Sequence, residues 1–196
     1  MIVSTDLDYL DTKLVKQGIK QVDPIFQKLA IWVHQKFNVP VLNIYYDKIH
    51  SDNDRPRLNI IFEYYETEQK FKDSTGNFDE EKQKMIAKKF NQILINDSNQ
   101  NFFSRLFKKS SSPKFDTNKL FVIFDAFEPI AREDTNSKIS QAEISTLRVE
   151  LGIEEIWEIF RQFSVTTFFF FTDSQIEEFE NDGTVALIKE KYFALL

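Results

Sequence analysis

The chain has 196 residues and a formal net charge of −6, with no cysteine, two histidines, four glycines and 21 phenylalanines. Zero cysteine excludes thiol nucleophiles, redox pairs, thiolate zinc sites and disulfides, and two histidines sixteen positions apart exclude both a three-histidine zinc site and HExxH. No two glycines lie closer than 31 positions, so a dinucleotide fingerprint, a P-loop or a glycine-flanked serine elbow cannot be built, because each needs Cβ-free backbone beside the phosphate or nucleophile.

The N-terminus, MIVSTDLDYLD, is acidic and mixed, the reverse of a basic-then-apolar leader. Apolar runs stay far below the roughly 20 residues that span a bilayer. Together these predict a soluble, cytoplasmic protein, and the length predicts one globular domain over residues 1–196.

Leu7, Leu10 and Leu14 repeat at helical spacing and predict a helix over 5–19, with Thr5 or Asp6 as its N-cap. Asp23-Pro24 then supplies an N-cap and a first-turn proline, and Phe26, Leu29, Ala30, Val33 and Phe37 form the core stripe of a second helix. The runs 41–49 and 57–65 are rich in β-branched and aromatic residues, and the polar HSDNDRP between them predicts an antiparallel hairpin with one face partly wet. A long helix is predicted over 78–95, followed by a short one in NFFSRLFKK. LFVIFDAF at 120–127 and VTTFFFFT at 165–172 read as buried central strands, parallel to one another across a helical crossover. Ser140 to Glu143 and Ser174 to Glu177 match capping boxes, and Ile153, Ile156, Trp157 and Phe160 predict a further helix. The expected class is therefore α/β or α+β: a mixed sheet of about four strands, an antiparallel hairpin plus two central strands, covered by helices.

Charge is unevenly spread. Residues 82–119 hold nine basic and two acidic groups, whereas 120–196 hold six and fifteen. A basic band can meet an acidic partner, or it can face the acidic C-terminal third of its own chain. Within the band, Phe102, Phe103 and Phe107 alternate with Arg105, Lys108 and Lys109. As a helix this segment has an apolar and a basic face, which makes these six residues the partner-binding candidates.

Three predicted strands end in aspartate: Asp47, Asp125 and Asp173. If the strands run parallel, their carboxylates converge on one sheet edge and could hold Mg²⁺ for phosphoester or phosphodiester hydrolysis. Asp is also common where strands pass into turns and caps, because it bonds local backbone N–H groups. His50 sits among Asp47, Asp52 and Asp54, an arrangement that suits a general base or a solvated turn.

No catalytic residue and no cofactor is implied. The expected function is a non-enzymatic protein-binding domain of adaptor, inhibitor or immunity-like type, since acidic binders complement basic clefts. Nucleic acid and membrane are disfavoured as partners by the acidic balance. The alternative is a Mg-dependent phosphoesterase or nuclease using Asp47, Asp125 and Asp173.

Overall fold

The structure is a computed structural model and describes residues 3–100 and 115–195. The chain divides into two compact units, residues 1–128 and 129–196. The class is α+β, with eight helices, a three-stranded mixed sheet and a two-stranded antiparallel sheet among the described residues.

The first unit runs α1 (Leu7–Lys16), α2 (Pro24–Phe37), β1 (Asn43–Ile49), β2 (Arg55–Phe62), α3 (Tyr65–Gln69), α4 (Glu80–Gln100) and β3 (Phe121–Ala126). As expected, β1 and β2 form an antiparallel hairpin. Asn53 and Asp54 take left-handed backbone in its turn, which their short polar side chains tolerate. β3 then joins β2 in parallel, giving the order β1-β2-β3.

Alternation along β2 sorts the sheet into two faces. Leu58, Ile60 and Phe62, with Val122 and Phe124 of β3, meet Phe26, Leu29 and Val33 of α2 and Ile86, Phe90 and Ile93 of α4. Phe71 is wedged between Phe62 and Phe124, with ring centroids 4.6 and 4.8 Å away. Each such buried side chain contributes about 1.5–3 kcal/mol relative to exposure. The termini of α2 are fixed as its sequence implies. The Asp23 side chain accepts from the Ile25 N–H at 2.9 Å, and Asn38 closes the helix in the left-handed region.

Two features of this unit depart from what the sequence suggests, and one agrees with it. The leucine stripe of α1 does not face inward: Leu7 is 70% exposed, and the buried residues are Asp8, Tyr9 and Thr12. The sheet face beneath α1 carries Asn43, Asn59 and Asp125, so polar side chains rather than leucines find partners there. That face is partly wet, as expected: Asn59 and Ile61 are buried, but Tyr45, Asp47 and Arg57 on the same face are only half-buried. Finally, the central strand is β2; β3 lies at the end of the strand order and buries alternate residues.

The second unit begins within α5 (Phe127–Lys138) and continues with α6 (Gln141–Leu151), β4 (Ile156–Gln162), β5 (Val165–Phe170), α7 (Asp173–Asn181) and α8 (Thr184–Phe193). Ser140 and Glu143 close the expected capping box on α6, and Gly152 ends that helix at φ 62°. On α7 the box is Thr172 with Gln175, two residues earlier than the sequence suggested. α5 went unread, although Pro129 in its first turn is a helix-start signal.

Residues 156–162 form a strand, not the expected helix. A register irregularity between Ile156 and Glu158 inserts one extra residue into β4. Ile156 and Ile159 therefore share one face, and Trp157 and Phe160 the other, at a spacing of three that mimics a helical turn. β5 pairs antiparallel with β4 in this separate sheet, so it is not the expected parallel neighbour of β3.

Candidate functional site

The polar seam beneath α1 is the first arrangement of chemical interest. Asp8 is 3% exposed and Asn59 not at all. The Asn59 amide donates to Asp8 Oδ2 at 3.0 Å, and Asn43 Nδ2 donates to Thr12 Oγ1 and Asp11 Oδ2, both at 3.1 Å. Thr12 Oγ1 donates back to the Asp8 carbonyl at 2.6 Å. Asn59 Oδ1 and Gln69 Nε2 are buried without a hydrogen-bond partner.

Asp125 lies on the same face, opposite Ile61 of β2. Burial, reinforced by the Glu68 and Asp8 carboxylates and only partly offset by Asn59, pushes its carboxyl up to about 6. Glu68 is itself buried and pairs with Lys72 at 2.7 Å. Burial, and after it the Asp47, Asp11 and Asp8 carboxylates, raises the Tyr45 hydroxyl. Two clefts of about 350 and 270 Å³ lie along β1 and α2, and Asp125 lines neither. The seam's chemistry is thus that of attachment, holding α1 by direction-specific bonds.

Asp47 and Asp125 are placed far from the edge cluster their sequence positions suggest. β1 runs antiparallel to β2 and β2 parallel to β3, so the ends of β1 and β3 point opposite ways. Asp47 pairs in register with Arg57, and Asp125 four positions further along β2 with Ile61. That stagger plus two strand spacings separates their backbones by roughly 16 Å. Asp47 is held in a two-pronged bond by Arg57, at 2.8 and 2.6 Å. Asp173 is the first residue of α7, in the second unit. Among the described residues, no group of three or more acidic or histidine side chains could hold a metal ion. His50 and Asp54 form an exposed turn pair at 2.6 Å. Phe102, Phe103, Arg105, Phe107, Lys108 and Lys109 lie outside the described residues.

The second arrangement is the β4–β5 hairpin. On its inner side, Ile159 and Phe168 pack against Ile139, Ile144, Leu147 and Tyr192. Arg161 donates to the carbonyls of Asn136 and Ile139, satisfying groups at the end of α5. Asn136 in turn donates to the Phe163 carbonyl at 2.8 Å and fixes the turn. Phe163 sits at φ 52°, a left-handed conformation that costs a bulky L-residue about 1–2 kcal/mol.

The outer side is apolar and uncovered. Trp157 and Phe160 are each 46% exposed, Val165 60% and Phe169 38%, with Phe163 and Phe171 about two-thirds exposed at either end. Trp157 packs against Phe169 with ring centroids 5.4 Å apart and planes tilted by 47°, and donates its indole N–H to the Phe170 carbonyl, which fixes its orientation. Glu158 opposite Phe169, Thr167 opposite Phe160 and Gln162 opposite Val165 interrupt the apolar set on this face. Sequence reasoning missed these residues because it assigned β4 to a helix and buried β5 on both faces. The one available signal was Thr166-Thr167, which leaves β5 without the continuous apolar run of a buried strand.

No membrane-length apolar helix is present among the described residues. No family model, curated protein or solved structure matches the chain.

Proposed function

We propose that the chain is a small, soluble, cytoplasmic and non-enzymatic protein-binding domain, an adaptor, inhibitor or immunity-like partner, that binds through the outer face of β4–β5. The observation carrying this reading is the exposed set Trp157, Phe160, Val165 and Phe169 on a two-stranded sheet whose other face is already packed. A sheet apolar on both sides calls for a layer on each, and aromatic side chains are enriched where proteins meet. A strained aromatic at the turn tip adds to this, because backbone strain concentrates at recognition sites.

The test compares partner capture by the wild-type chain with capture by a Phe160→Ser/Val165→Ser double variant. Both side chains are exposed, and Phe160 makes no ring contact among the described residues, so folding should change little. A stoichiometric partner should be retained by the wild type and lost by the variant. Equal retention by the two would refute the outer face as the binding surface.

A further inference from the structure

Resting on that reading, we infer that the surface recognised by the β4–β5 outer face is a cationic polypeptide, in which Lys or Arg side chains flank an apolar strip.

Charge decides between the possible occupants. Residues 129–196 hold 13 acidic and 6 basic groups, a net −7, so this unit carries more than the chain's whole negative charge. Glu158 stands within the face, and Glu154 and Glu155 directly precede β4. None of the three makes an ion pair among the described residues. Their unneutralised field opposes nucleic acid and anionic lipid, both of which need cations at the contact. A second copy is opposed in the same way, since an isologous contact would set −7 against −7 across one interface. A cationic chain meets no such penalty. Its apolar side chains cover Trp157, Phe160, Val165 and Phe169, while its cations reach Glu158 within the face and Glu154 and Glu155 at the start of β4, where they speed encounter and fix orientation.

Random peptides displayed on phage, selected against the immobilised full chain, test this with defined probes. Selected peptides should combine Lys or Arg with aliphatic or aromatic residues. Affinity of the best synthetic peptide should fall about tenfold or more as salt rises from roughly 0.05 to 0.5 M, and about as far in a Glu154→Lys/Glu155→Lys/Glu158→Lys variant. It should also be abolished in Phe160→Ser/Val165→Ser. Neutral or acidic apolar peptides that still need Phe160 and Val165 would overturn the cationic partner while leaving the binding face standing. No selected peptide, or binding indifferent to Phe160 and Val165, would overturn both. Dimers in analytical ultracentrifugation that dissociate in Phe160→Ser/Val165→Ser would identify a second copy as the occupant and overturn the inference.

Discussion

Replacing Asp125 by Asn should stabilise the protein at neutral pH and leave it unchanged in acid. The carboxyl is half-buried on the α1 face of the sheet, and its folded value of about 6 stands above the ordinary 3.8. A raised folded value means that the native state binds this proton more tightly than the unfolded chain. The favourable contribution is complete below the unfolded value and is lost as pH rises through the folded one. At 1.36 kcal/mol per unit, the ionised carboxylate costs the native state about 3 kcal/mol once pH exceeds roughly 6. Asn keeps an acceptor for the Asn59 amide and removes the ionisation. Urea melts of wild type and Asp125→Asn, taken at intervals between about pH 4 and pH 7.5, should show the two chains coinciding in acid. The gap should open through pH 4–6 and level off at about 3 kcal/mol in favour of the variant. Groups that do not interact with Asp125 cancel in that difference, whereas relief of its repulsion with Glu68 and Asp8 is part of it. A variant no more stable than wild type at neutral pH, or a gap independent of pH, would refute the assignment of Asp125 as a half-buried, disfavoured carboxylate.

The inverted face of α1 predicts that Leu10→Ser changes stability by no more than about 0.5 kcal/mol, whereas Thr12→Val, which deprives Asn43 of an acceptor, costs about 1 kcal/mol in urea melts. Phe163→Gly should relieve the left-handed strain and raise stability by about 1 kcal/mol, read as a higher Tm. Because the strands of Asp47 and Asp125 run in opposite directions and carry the two carboxylates to opposite edges of the sheet, millimolar MgCl₂ should leave Tm unchanged, and a clear upward shift would restore the metal reading.

Much of the fold was legible where one residue type dominates a local choice. Asp23-Pro24, the Ser140–Glu143 box and Gly152 each specify a helix end through backbone chemistry that needs no tertiary context. The β1–β2 hairpin was readable for a related reason, as alternation and a polar turn lie adjacent in sequence. What failed depends on what lies opposite. The leucines of α1 have the right period for an inward face, but the sheet offers Asn43, Asn59 and Asp125 there, and only polar side chains satisfy those groups. In β4 one inserted residue turns a period of two into a spacing of three, so periodicity reports the wrong element. The candidate binding face was hidden by the same error, because Trp157 and Phe160 on a helix stripe count as core. Strand direction defeated the aspartate cluster: a terminal Asp marks a strand end, but not which way that strand runs.

The seam beneath α1 also bears on how this helix would leave its sheet. Release of an apolar helix exposes oily surface, raises heat capacity steeply and becomes easier in the cold. α1 would expose Asp8, Thr12, Asn43 and Asn59 alongside Tyr9 and Ile61, and polar exposure lowers heat capacity where apolar exposure raises it. Its detachment should therefore have a nearly temperature-independent enthalpy, and the surface left behind would be wettable rather than sticky.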